Sequence, residues 1–210
     1  MEAEFWRRRW RDNAIGFHRA AANPLLLRHF STLEAAPGAR LFLPLCGKTL
    51  DIHWLLEGGY RVAGAELVES AVEQLFAELG VEPTVETVGE LRRYSAEASD
   101  VFAGDIFWLT REALGPVDAV YDRAALVALP EDLRRRYASH VTALAGEAPQ
   151  LLVSFVYDQT LADGPPFSVD EQEVRALYGD FYDVRLLETV EDPGGMRGKC
   201  PAVEKVWLLR

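Results

Sequence analysis

Only two cysteines, Cys46 and Cys200, occur in the 210 residues. They are too few and too far apart for a disulfide framework or a zinc-binding spacing. The four histidines form no H-x-x-H or H-E-x-x-H pattern and no G-x-S-x-G is present, so neither a metal centre nor a hydrolase nucleophile elbow is expected. No stretch approaches the ~20 continuous apolar residues of a membrane span. Residues 1–11 are charged and aromatic where a signal peptide has an apolar core, so a cytoplasmic location away from membranes is expected. Basic residues are in the minority, with 22 Lys+Arg against 33 Asp+Glu and a formal net charge of −11. Such a balance argues against nucleic acid as a partner, because sequence-independent binding needs a basic surface. Apolar residues at 49% and charged residues at 26%, in a length that suits one domain, describe a globular enzyme acting on a small molecule. Nothing in the sequence demands assembly, and a monomer is the default.

The elements alternate. Arg40–Leu45 reads as a buried strand and Thr49–Glu57 as a helix stopped by Gly58-Gly59. Tyr60–Leu67 is a second strand. Ser70–Leu79 is a helix with Ser70 as its cap, Glu73 completing a capping box and Gly80 at its end. Val101–Ile106 and Val117–Tyr121 are further strands, and Glu131–Leu144 is a helix. Leu151–Tyr157 is a continuous apolar run, the mark of a central strand covered on both faces. A helix over Asp170–Leu177 precedes two β-rich runs, Tyr182–Val190 and Val203–Leu209. This is an α/β pattern with a mostly parallel sheet and an antiparallel strand at its C-terminal end. Residues 1–36 read as a helical, aromatic segment ahead of it. Such a sheet binds ligands at the carboxyl ends of its strands.

At the first of those ends stands Leu45-Cys46-Gly47-Lys48-Thr49. It lacks the leading glycine of a P-loop, since Phe42 occupies that position, and G-x-G-x-x-G is absent too. Those glycines serve close approach to a pyrophosphate, so a nucleoside ligand without pyrophosphate remains compatible. Glu66 ends the second strand 19 residues after Gly47, where α/β nucleotide sites place an acid for the ribose hydroxyls. S-adenosylmethionine has that composition. Asp122-Arg123 follows the fourth strand, as a structural ion pair or as part of the site. Gly164-Pro165-Pro166-Phe167 either walls a pocket or turns the chain. Cys46 has no identifiable base beside it and reads as a small buried residue. Of the histidines, only His18 sits near candidate site residues.

These residues resemble the thiopurine S-methyltransferase family, in its bacterial form, over almost the whole chain. The matching segments are Phe5-Trp6 to Trp10, Asn13 to His18, Asn23-Pro24-Leu25-Leu26, Phe42 to Lys48, Asp122 to Ala128, and Gly164 to Phe167. The resemblance implies a class I methyltransferase (Rossmann-like) fold: one domain over residues 1–210, with a mostly parallel seven-stranded sheet, helices on both faces, and residues 1–36 as an N-terminal helical cap over the site. It implies S-adenosylmethionine as methyl donor, held by Trp10, Leu45, Glu66 and Arg123, with Asp105 and Ile106 along the adenine. Phe17 matches a substrate-pocket residue, and Arg197 is the candidate for an arginine near the substrate. The stretch after Glu191 is shorter and richer in glycine than the family pattern.

The expected chemistry is direct transfer of the methyl group to the sulfur of a thiopurine or another aromatic or heterocyclic thiol. A thiolate needs no strong base, and the fixed charge of Arg123 favours the anion. Trp6 and Trp10 share a helical face, which by itself means packing against the sheet; the family position assigns Trp10 to the donor. Two alternatives are a methyltransferase for halide, selenium or tellurium species, and a protein that binds the donor without catalysis.

Overall fold

The structure, a computed structural model, describes residues 3–16 and 18–210. Phe17, expected at the substrate pocket, lies outside the described residues. Nine strands form one sheet: β1 Arg40–Pro44, β2 Arg61–Glu66, β3 Thr84–Val88, β4 Leu91–Ala96, β5 Ser99–Ala103, β6 Ala119–Arg123, β7 Gln150–Tyr157, β8 Val184–Asp192 and β9 Ala202–Leu209. Their order is β3-β4-β5-β2-β1-β6-β7-β9-β8. The five central strands are parallel, and β3, β4, β8 and β9 pair antiparallel. The helices are α1 Ala3–Arg11, α2 Pro24–His29, α3 Leu50–Glu57, α4 Glu69–Leu79, α5 Arg111–Leu114, α6 Glu131–Ala145 and α7 Glu171–Tyr178.

Side-chain alternation along the strands divides the core. On β1, Leu41 and Leu43 face α2, α3 and α4, whereas Phe42 faces α6 and α7. A strand buried on both faces must be apolar at every position, and β1 is buried throughout. The chain winds outward from β1 to β2 and β5, then returns across β1 to β6. The direction of winding reverses between β1 and β6, and a crevice opens there above the carboxyl ends of the strands.

Two expectations are corrected. The sheet has nine strands rather than seven, because β3 and β4 form an outer hairpin with Val88 opposite Leu91. Gly89, at φ 58°, supplies the left-handed residue of its two-residue loop. β3 (Thr-Val-Glu-Thr-Val) is exposed along nearly its whole length, so it carries no apolar run to mark it. Helix α4 begins at Glu69, and Ser70 makes no cap. Its N-cap is Val68, whose N–H is taken by the Glu66 carboxylate from the end of β2 (2.8 Å). Gly80 does end the helix, at φ 69°.

β6 carries a buried acid. Asp122 is fully buried on the α6 side, where its Oδ2 accepts from Tyr137 Oη (2.7 Å) and its Oδ1 from Leu126 N–H (3.1 Å). Burial raises its pKa to about 6, and these hydrogen bonds oppose the rise. A folded-state pKa above the ordinary 3.8 means that the native state holds the proton more tightly than the unfolded chain. This contribution to stability is therefore present at low pH and is lost as pH rises through about 6. Asp122→Asn keeps the shape and removes the charge. In urea titrations, its stability relative to the parent should improve by about 2–3 kcal/mol between pH 4 and pH 7. A difference that does not change with pH would mean that Asp122 is not buried as a titrating carboxyl.

Candidate functional site

The turn after β1 starts the site. Leu45 takes φ 46° and Gly47 takes φ 54°, so the chain leaves the sheet sharply. Glu66 closes this turn. Its Oε2 accepts the Gly47 N–H (2.8 Å) and its Oε1 the Val68 N–H (2.8 Å). One side chain thereby joins the turns that follow β1 and β2. Burial raises the Glu66 pKa, and the amide donors of Val68, Gly47 and Leu67 pull against that rise.

Above this corner packs α1. Trp10 is buried in a small cluster with Val68 and Ala71, flanked by Trp6, Ile15 and Leu67. A Cβ on Gly47 would lie 3.0 Å from the Trp10 ring, so Gly47 admits the indole as well as the positive φ. Trp6 joins the same cluster, which agrees with its packing role.

These groups face a cavity of about 720 Å³ at the carboxyl edge of the sheet. Trp10, Leu45, Glu66, Asp105, Ile106, Arg123 and Arg197 all line it, so the structure brings together every expected site residue among the described residues. Asp105 is exposed at the end of β5 and caps the following turn, its Oδ1 accepting the Phe107 N–H (3.0 Å). Ile106 is buried beside it. Arg123 is half-buried at the end of β6, before Ala124 at φ 63°. It faces away from Asp122, which is turned to Tyr137, so Asp122 serves the core and Arg123 the cavity. Arg197 is exposed, and its guanidinium donates to the Pro165 carbonyl.

The Gly164–Phe167 segment walls the cavity through Pro165 and Pro166. Besides the Arg197 contact, it is tied down by Phe167 N–H to the Val127 carbonyl (2.7 Å) and by Tyr157 Oη to the Pro166 carbonyl (2.8 Å). His18 is half-buried at the cavity; burial and the nearby Lys48 charge lower its pKa, so it is neutral at pH 7. Cys46 is buried, and both that burial and the Glu66 charge push its thiol pKa up. A thiol held protonated is a poor nucleophile.

Several cavity groups were not singled out in the sequence. The Arg136 guanidinium lies 3.8 Å from the Phe107 ring centroid. Arg19 pairs with Glu204 (3.3 Å), joining the segment after α1 to β9. Asp51, in the first turn of α3, and Tyr121, on β6, are each 2% exposed and line the cavity wall. In sequence, Asp51 looks like an ordinary acid at a helix start and Tyr121 like a core aromatic. Only the apposition of α3 and β6 brings them together.

The cavity has a tight turn at the end of β1, an acid at the end of β2, an arginine at the end of β6, and aromatic cover from α1. It suits a nucleoside with a charged tail and no pyrophosphate. Solved structures agree in fold. A Burkholderia thailandensis 1,6-didemethyltoxoflavin-N1-methyltransferase, solved with 1,6-didemethyltoxoflavin and S-adenosylhomocysteine bound, superposes with a TM-score of 0.66 at 16% identity, over 99% of this chain and 86% of that one. A TehB-like S-adenosylmethionine-dependent methyltransferase from Corynebacterium glutamicum gives 0.58 at 14% identity, over 99% and 98%. Among curated relatives, the thiopurine S-methyltransferase of Xanthobacter autotrophicus is 60% identical over 210 residues, spanning 100% of this chain and 99% of the relative. That of Gluconobacter oxydans is 50% identical over 205 residues, covering 98% and 93%. The family model described as thiopurine S-methyltransferase matches residues 1–206. With matches of this extent in both family model and relatives, the chain belongs to the thiopurine S-methyltransferase family.

Proposed function

We propose that this protein transfers the methyl group of S-adenosylmethionine to the sulfur of a thiopurine or another aromatic or heterocyclic thiol. The observation that carries this reading is the single cavity bounded by Glu66, the Leu45–Gly47 turn, Trp10 and Arg123. Glu66 keeps lone pairs for ribose hydroxyls beyond the two it gives to backbone amides, because a carboxylate has about four acceptor sites. Asp105 and Ile106 flank the adenine. Trp10 presents an aromatic wall, and cation–π attraction to a sulfonium is worth ~0.5–2 kcal/mol.

When bound, the donor supplies a methyl carbon on positively charged sulfur: the acceptor sulfur bonds to that carbon, the carbon–sulfonium bond breaks, and its electron pair stays on the donor sulfur. The chain's own part is to orient and to exclude water. Residues 1–36 act as the cap, with Trp10 seated on Gly47 and Arg19 pairing with Glu204 across the cavity wall. Arg197 belongs to the acceptor side, and Pro165 and Pro166 narrow it. The Arg123 charge favours the thiolate over the thiol, which lowers the basicity demanded of any proton acceptor. Holding donor and acceptor in near-attack geometry is then the principal catalytic term.

Calorimetric titration with S-adenosylhomocysteine tests the donor half; one site per chain at micromolar affinity is the expected result. A panel of aromatic thiols against halide and reduced selenium and tellurium anions tests the acceptor half, and turnover confined to the inorganic species would overturn the thiol reading. Glu66→Gln should weaken S-adenosylhomocysteine by roughly 1.5–3 kcal/mol, the range for hydrogen bonds to a charged group; unchanged affinity would remove Glu66 from the ribose. Cys46→Ser should keep kcat for thiol methylation within about threefold, since a buried, protonated thiol carries no methyl. A hundredfold loss with intact donor binding would instead make Cys46 a covalent relay.

A further inference from the structure

Methylation of a neutral thiol, or of its thione tautomer, releases one proton. A residue that removes it must line the cavity, be unprotonated and stand uncommitted to another group. The cavity acids fail the last condition. Glu66 is committed to the Gly47 and Val68 amides, Asp51 to the Asn23 N–H (2.6 Å) and Asp192 to the Gly194 N–H (2.9 Å). Glu204 is paired with Arg19, and Asp105 caps the turn after β5. Cys46 and Tyr121 fail the second, because burial keeps both protonated.

His18 meets all three. It lies in the connection between α1 and α2, half-buried, and lines the cavity. The backbone is anchored on either side of it. The His18 N–H donates to the Ile15 carbonyl (2.8 Å), and Ile15 packs on the Trp10 cluster. Arg19, the next residue, reaches Glu204 on β9 (3.3 Å). Among the described residues the imidazole itself makes no hydrogen bond or ion pair, so its basic nitrogen is available to a molecule in the cavity. Three charged side chains stand around it: Lys48 after β1, Glu78 on α4 and Arg123 at the end of β6. Burial and the Lys48 charge lower its pKa, Glu78 opposes them, and Arg123 adds to the lowering. The neutral imidazole that results is the form that accepts a proton. Arg123, whose charge favours a thiolate, is within electrostatic reach of the same ring, so proton acceptor and anion stabiliser flank one part of the cavity.

We infer that His18 is the general base that takes the acceptor's proton. This assignment rests on the thiol reading above. The acceptor's proton moves to the free ring nitrogen of His18, and the acceptor sulfur bonds to the methyl carbon. The carbon–sulfonium bond breaks with its electron pair left on the donor sulfur. The imidazolium, repelled by Lys48 and Arg123, then passes the proton to water at its exposed side. Such a base serves acceptors that reach the site protonated and is idle with those that arrive as thiolates.

Two acceptors separate these cases at pH 6.5, the ordinary imidazole value: 6-mercaptopurine, which is mostly protonated there, and 4-nitrobenzenethiol, which is ionised. In His18→Gln, kcat with 6-mercaptopurine should fall by about tenfold or more, while kcat with 4-nitrobenzenethiol falls by no more than about threefold. S-adenosylhomocysteine affinity, read by calorimetry, should stay within about twofold of the parent. In His18→Ala, imidazole added to the buffer should restore part of the 6-mercaptopurine rate in proportion to its neutral fraction, which a merely structural role would not produce. Equal losses with both acceptors, or an unchanged 6-mercaptopurine rate, would overturn the assignment and leave the thiol reading standing. Should His18→Gln fail to fold, His18→Ala decides, and a rate that imidazole does not raise overturns the assignment. A parent protein that methylates neither acceptor overturns the thiol reading, and the assignment with it.

Discussion

The two hydrogen bonds accepted by Glu66 hold the site together. At the end of β2 this carboxylate receives the Gly47 N–H from one turn and the Val68 N–H from another. The first bond fixes the glycine turn on which Trp10 rests, and the second caps α4, whose Ala71 packs against Trp10 as well. Turn, helix start and aromatic cover are thus positioned by one buried acid. Burial favours protonation, and the amide donors offset only part of that effect. A carboxylate held this way remains an acceptor with little freedom to reorient, which is the preorganisation a ribose site needs.

β6 shows how a period of two separates stability from function. Asp122 points to the α6 side and satisfies itself with Tyr137 and the Leu126 amide. Its neighbours Tyr121 and Arg123 point the other way and line the cavity. A shift of one residue in register would exchange these faces and bury Arg123 in the apolar layer of α6 and α7. The pairing of β6 with β1 and β7 therefore fixes the chemistry of the cavity as firmly as it fixes the sheet.

The sequence shows the parallel core clearly, because β1 and β7 are apolar runs bounded by turn residues and helices α3, α6 and α7 fall within a residue or two of their expected limits. It conceals β3, whose exposed threonines and glutamate give no burial signal. It also misplaces the start of α4, because Ser70 and Glu73 have the spacing of a local cap while the real acceptor, Glu66, comes from the preceding strand. At the site, Leu45, Glu66 and Arg123 are legible because strand ends can be located from hydrophobic runs. Asp51 and Tyr121 are not, since their meaning depends on how α3 settles against β6 and on the near-complete burial of both side chains. Arg197 was placed only through the family pattern, and the structure brings it to the cavity by tying it to Pro165.

The two halves of the cavity are built from different materials, and this bears on what each can recognise. The side proposed for the donor is made of strand ends and the first turns of helices: Leu45, Gly47 and Glu66, with Asp51 and Arg123. Rigid elements of this kind hold functional groups more precisely than loops. The side proposed for the acceptor is walled by Pro165, Pro166, Met196 and Arg197, all in connections between elements. Those connections are pinned at a few points, by Phe167 to Val127, Tyr157 to Pro166 and Arg197 to Pro165. Loops carried on a fixed scaffold are where specificity changes with least cost to the fold. A change in the connection between β8 and β9 therefore alters the loop side of the cavity and leaves the strand-end side in place.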